Sequence, residues 1–159
     1  MPKQSGFSIV EVVLAGALFI VFSTALVGIL LQSLESGKRN AEFIAAIAYA
    51  EEGMELARTI RKTGFSEVPL VHEGSVSWNG SDGWDTSDNS GDWFDKYERR
   101  ITIEYAHRDG NGTLVDEGSE DARTLKVTVK VYWDWDAVTD QRESVEFSEY
   151  LAYWEEPLL

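Results

Sequence analysis

Hydrophobic positions along the chain fall into three regimes. Residues 12–31 (VVLAGALFIVFSTALVGILL) form a run of 20 residues without a charge. At 1.5 Å rise per residue such a run spans about 30 Å as a helix, the hydrocarbon thickness of a bilayer. Residues 41–63 (AEFIAAIAYAEEGMELARTIRKT) then place Phe43, Ile47, Ala50, Met54, Ala57 and Ile60 at alternating steps of three and four, one apolar stripe at helical spacing. Glu42, Glu51, Glu52, Glu55, Arg58, Arg61 and Lys62 mostly fall outside it. The basic residues near the end suit the negative pole of a helix dipole, and Gly64 follows as a C-cap. No proline interrupts residues 7–63, and only Gly53 weakens the second half. The pattern predicts one helix of about 55 residues, roughly 80 Å long. Its first half is apolar all round and its second half amphipathic. A pair of helices broken near Ser36 and Gly37 is the alternative.

Beyond residue 65 the period changes from helical to two. Residues 99–105 (RRITIEY) alternate with Ile101 and Ile103 on one face. Residues 124–133 (TLKVTVKVYW) put Leu125, Val127, Val129 and Val131 together, and residues 144–154 (SVEFSEYLAYW) put Val145 and Phe147 together, with Glu149 next in step. This is the signal of half-buried strands. Residues 134–141 read as a hairpin loop and residues 107–121 as a longer connection. Residues 74–92 (GSVSWNGSDGWDTSDNSGD) are so rich in Gly, Ser, Asp and Asn that they read as a long loop with room for one short strand. Strands with one apolar face need a cover, and the stripe on residues 41–63 supplies it. The expected fold class is α+β: a long N-terminal helix whose outer half packs on an antiparallel β-sheet of three to four strands.

The apolar run has competing readings. A core helix of a soluble domain is seldom apolar on every side for 20 residues. A cleaved secretory signal has an apolar core of about 7–15 residues ending in small residues, whereas Gln32, Ser33, Leu34 and Glu35 follow this one. A retained membrane helix fits best. Lys3 lies before the run and Lys38 and Arg39 lie after it, so the positive-inside rule does not set its orientation.

Charge sharpens the division. The chain has 28 acidic and 14 basic residues, a net charge of -14, with the excess lying beyond residue 40. Such acidity argues against direct nucleic-acid binding, which needs a basic surface. The absence of cysteine excludes disulfides, thiol catalysis and thiolate metal centres. Neither a G-x-S-x-G element nor a phosphate-binding glycine loop is present, so the chain reads as a non-enzyme with no cofactor. His72 and His107 read as surface residues.

The first residues, MPKQSGFSIVEVVLAGALFI, carry the most specific pattern. A short polar leader with Lys3 ends at Gly6; Phe7 follows; Glu11 comes four residues later as the one charge before Glu35. A carboxylate costs about 2.5–3.5 kcal/mol at the centre of a membrane helix and less near an end. It needs a partner, and no basic residue lies within two helical turns of it in sequence beyond the leader. This arrangement resembles the prepilin signal of type IV pilins and type II secretion pseudopilins. The segment AYAEEGMELARTIRK and the strands LKVTVKVYW and SVEFSEYLAYW are similar to PilV-like minor pilins. The resemblance is strongest over about the first 35 residues and does not cover residues 71–93.

The resemblance implies a pilin-like fold and four segments: a leader peptide (1–6), a transmembrane and filament-core half-helix (7–34), an amphipathic outer half-helix (35–63) and an exported sheet domain with long loops (64–159). It implies cleavage between Gly6 and Phe7 by a membrane prepilin peptidase on the cytoplasmic side and methylation of the Phe7 amine. It implies that Glu11 faces the N-terminal amine of a neighbouring subunit, setting the axial register of a fibre. The implied partners are other pilin subunits, the peptidase and the cytoplasmic membrane before assembly. The implied location is the membrane first and a periplasmic or extracellular filament afterwards. A pseudopilin of a secretion system, or an anchored binding domain that never polymerises, are the alternatives. Two features depart from major pilins: a C-terminal disulfide loop is impossible without cysteine, and the kink proline of the helix is missing, with Gly28 near its place.

Two acidic stretches and one aromatic stretch complete the candidates. Asp109, Asn111, Thr113, Val115, Glu117 and Glu120 have the spacing of a calcium loop, but Leu114 occupies the place that needs glycine. An ordinary Asp/Gly/Asn turn is the simpler reading. Asp82, Asp85, Asp88 and Asp92 form the second acidic set. Trp78, Trp84 and Trp93 fall in one polar stretch, as residues of a binding surface or as loop residues folded back on the sheet. Trp133, Trp135 and Trp154 read as core or sheet-edge packing.

Overall fold

The computed structural model describes residues 8–64, 68–78, 84–87, 90–136 and 141–153. Its backbone divides into two compact units, Met1–Glu42 and Phe43–Leu159.

One helix, α1 (Ile9–Thr63), runs for 55 residues without interruption through Ser36 and Gly37. The single-helix expectation holds, and the broken alternative does not. Ser8 stands at its N-cap: the amides of Glu11 and Val12 donate to the Ser8 carbonyl at 2.9 and 3.3 Å. At the other end the Gly64 amide donates to Arg61, and Arg61 and Lys62 occupy the last turn, where the dipole favours cations.

Seven strands follow: β1 (Val71–Trp78), β2 (Trp84–Ser87), β3 (Asp92–Phe94), β4 (Tyr97–Arg108), β5 (Leu114–Val115), β6 (Ser119–Asp136) and β7 (Gln141–Ala152). They form one antiparallel sheet in the order β2-β1-β4-β6-β7, with β3 and β5 also paired to β4. β6 pairs with one edge of β4 over most of its length, so β3, β1 and β5 share the other edge, meeting it at Tyr97–Arg99, at Ile101 and Ile103, and at His107–Arg108 in turn. The expected count of three to four strands is therefore too low. β2, most of β1 and the start of β3 lie in residues 74–92, the stretch read as a long loop with room for one short strand. Seven of the fifteen residues of these strands are Ser, Thr, Asp or Gly, and Val71 and Val76 of β1 reach the core at an odd spacing that a two-residue period does not show. β1 also breaks its own alternation with a bulge between Val71 and Gly74, where Glu73 has a φ of 48°. A Cβ on Gly74 would sit 1.9 Å from the Ser87 carbonyl oxygen, so only glycine admits β2 there.

The core of the second unit lies between the last third of α1 and one face of the sheet. Ala46, Ala50, Met54, Ala57 and Ile60 are buried on the helix, against Ile101, Ile103, Leu125, Val127, Val129, Val131, Trp133 and Leu151 on the sheet. The strand faces are those the alternation predicts, with Ile101, Ile103 and the four apolar residues of β6 inward. The helix stripe is turned slightly: Ala46 takes the buried place, Ile47 is half-buried and Phe43 is exposed. Each fully buried Ile, Leu or Val contributes about 1.5–3 kcal/mol relative to exposure, so the sheet side supplies most of the apolar stabilisation. The helix side is built from small residues, which let its backbone approach closely.

Candidate functional site

Within the first unit the described residues from Ile9 to Leu34 form an apolar stretch of α1 that no other described residue buries. Every large apolar side chain from Ile9 to Leu34 is between 53 and 83% exposed. A continuous apolar surface of this size is unstable in water and marks a membrane or an assembly contact. By length and composition this segment is long and apolar enough to cross a membrane. Its polar groups suit that setting. The Thr24 hydroxyl lies 2.9 Å from both the Ile20 and the Val21 carbonyl oxygens, so it is satisfied within its own helix. A Cβ on Gly16 or Gly28 would meet nothing within 4 Å.

Glu11 lies in the first turn of α1 and is exposed. Among the described residues no cation reaches it; the next basic residue of the helix, Lys38, is about 40 Å further on at 1.5 Å per residue. Ser8 and Glu11 also stand in the order of a capping box, with a carboxylate at the positive end of the dipole. That is a second local reason for a Glu at this position, one that the S-x-x-E spacing carries and the sequence reading missed. Gly6 and Phe7 lie outside the described residues.

Charged pairs organise the second unit. Arg99 shares the inward face of β4 with Ile101 and Ile103 and is 5% exposed. It donates to the Tyr49 carbonyl at 3.4 Å and to Asp92 Oδ2 at 3.2 Å, lies 3.7 Å from Glu52, and stacks over Phe94 at 4.8 Å. Phe94 in turn stacks on Tyr49, 5.0 Å between centroids. Asp92, one of the second acidic set, thus serves as the partner of a buried guanidinium. Arg58 of α1 donates to Glu149 of β7, 3.1 Å from Nε to Oε2, and this contact chiefly raises the Arg58 pKa above its ordinary value. On the outward face, Glu98 is buried between Arg100 and Arg142, Lys130 pairs with Glu146 at 3.3 Å, and Lys126 with Asp116 at 3.0 Å.

The 109–120 stretch is a turn. Asp109 Oδ1 accepts the amides of Asn111 and Thr113 at 2.9 and 2.8 Å, and Gly112 has a φ of 83°. The Thr113 contact is the main reason the Asp109 pKa lies below the usual carboxylate range. Leu114 and Val115 form β5, and Glu117 and Glu120 are exposed. Among the described residues, no group of three or more His, Asp or Glu converges as a metal site. Asp85 is exposed on β2; Asp82 and Asp88 lie outside the described residues.

Trp78 and Trp84 are cross-strand partners closing the β1–β2 hairpin. Trp93 is 60% exposed, with the Arg142 guanidinium 5.8 Å from its ring centre. Trp133 is buried beside Tyr97. His72 is exposed and His107 half-buried. Comparison with protein-family models, curated proteins and solved structures finds no match.

Proposed function

We propose that the chain is a minor type IV pilin, cut after Gly6, methylated at Phe7 and assembled into a filament through the exposed half of α1. The observation that carries this reading is Glu11: a lone carboxylate, without a described cation partner, at the start of an apolar helix whose side chains are exposed from Ile9 to Leu34. In a membrane or a packed bundle an ionised carboxylate must be paired or hydrogen-bonded. The new amine at Phe7 of a neighbouring subunit is the partner that the reading supplies.

Two further observations support it. The apolar side chains from Ile9 to Leu34 are exposed; storage in the cytoplasmic membrane as a single span, followed by transfer to neighbouring helices, would remove that exposure in both states. Gly16 and Gly28 each weaken a helix by about 1 kcal/mol relative to alanine, and among the described residues no neighbour uses their small size. Close approach of a second helix would. Force comes from an external motor, so the subunit needs no catalytic group. A pseudopilin of a type II secretion system uses the same chemistry in another machine.

The test is the mass of the mature N-terminus isolated from native membranes. A methylated Phe7 start is expected. A Met1 or Pro2 start would replace this reading with that of an anchored domain that does not polymerise. A start after Leu34 would make the chain a secreted protein and remove the filament altogether.

A further inference from the structure

We propose that the cleft between α1 and β7 takes an extended, basic segment of a partner protein, added to the sheet as one more strand. The proposal uses only the second unit, so it stands or falls separately from filament assembly.

The sheet ends at β7, which pairs with β6 alone among the described residues. Over Gln141–Ala152 its outer edge offers a long row of backbone donors and acceptors, a template for another strand. The opposite edge, β2, offers only four residues. Beside the open edge lies a groove of about 540 Å³, walled on the helix side by Glu51, Met54, Glu55 and Arg58 and on the strand side by Phe147 and Glu149. At helical spacing from Glu51 and Met54, the half-buried Ile47 and the 65% exposed Ile44 continue the helix wall. A strand laid along β7 would direct every second side chain toward this wall and the others onto the outward face. The backbone supplies affinity and the groove supplies selection.

Charge chooses the occupant. Glu51, Glu55, Glu143, Glu146 and Glu149 border the site; Arg58 is shared by Glu55 and Glu149, and Glu146 meets Lys130 from one side only, so the border keeps an acidic excess. A second copy of β7 would bring carboxylates against carboxylates, which is unfavourable across paired strands. The chain's own last residues carry Glu155, Glu156 and Pro157, the wrong sign and a residue that cannot donate to a ladder. The strand that does lie beside β7 shows what fits: β6 alternates buried valines with Lys126 and Lys130, the latter 3.3 Å from Glu146. The partner segment therefore alternates apolar residues with lysine or arginine.

The experiment titrates the full-length protein, held in lipid nanodiscs, with a fluorescent synthetic peptide alternating valine with lysine. A control peptide keeps the lysines and replaces alternate valines by proline. The expected result is binding at least about tenfold tighter for the first peptide, with slowed amide exchange confined to β7, because proline removes ladder donors. Glu146→Lys should weaken it by about tenfold, since a like charge then faces the peptide lysines on the outward face, with little change in melting temperature because the Lys130 pair it breaks is an exposed one. Equal binding of both peptides would reduce the effect to general charge attraction and overturn the proposal. So would no binding, exchange protection elsewhere, or association of the protein with itself through β7.

Discussion

Gly53 shows how one residue fixes the distance between layers. By propensity it is the weak point of the outer helix. In the fold it is the place where the helix backbone comes down on β6. A Cβ there would lie 2.9 Å from Val129 Cγ1 and 3.0 Å from Arg99 Cδ. Val129 is fully buried and cannot turn away, and Arg99 is held by Asp92 and Phe94. Gly53→Ala would gain about 1 kcal/mol of helix propensity and lose about 1–3 kcal/mol to overpacking. The expected outcome is a net loss of stability, read as a lower denaturant midpoint. An Ala variant more stable than the parent would show that the layers can separate without cost.

At the scale of elements, the far end of the β4–β6 ladder is held by charge rather than by apolar contact. The ladder shifts register between Tyr105 and Ala106, and beyond that point Arg108 donates to Asp121 at 2.7 Å. The Arg108 guanidinium, then the Thr124 hydroxyl and the Arg123 amide, lower the Asp121 pKa to about 2. The folded value lies below the ordinary carboxylate value of 3.8, so the pairing stabilises fully above about pH 4 and is lost as pH falls through 2. Between those limits the β5 turn and the start of β6 should open before the core does. Amide exchange at Ala106–Arg108 measured down the pH scale checks this. Asp121→Asn should exchange faster at neutral pH and show a smaller change across the same window. A parent protein whose exchange there is flat from pH 4 to 2 would remove the charge argument.

At the scale of the whole molecule, the buried apolar core residues among those described all lie beyond residue 45, and the apolar side chains from Ile9 to Leu34 are exposed. A chain starting at Phe43 should therefore be soluble in water without detergent and melt cooperatively, within a few degrees of the full-length protein. Thermal melts of the two forms, followed by near-ultraviolet circular dichroism, decide it. Loss of the cooperative transition in the short form would mean that residues before Phe43 belong to the folding unit.

The sequence by itself determined the helix, the faces of β4 and β6, and the surface of the first unit. Those features rest on periodicity: a side chain's place on a helix or strand follows from its spacing alone, as with Ile101, Ile103 and the run from Leu125 to Val131. Tertiary structure decided what periodicity does not encode. β1 and β3 are held on the free edge of β4, and β2 on β1, by pairings that no apolar period in their sequence marks. Arg99 takes a core position that a charge normally avoids, because Asp92 faces it across the β3–β4 pair and the Tyr49 carbonyl arrives from α1, fifty residues away in the chain. Asp92 and Asp109, which spacing offered as cation ligands, are spent on a guanidinium and a backbone turn. Glu11 keeps a local meaning at the helix start, and among the described residues no cation reaches it, because a carboxylate's partner is a matter of space and not of sequence.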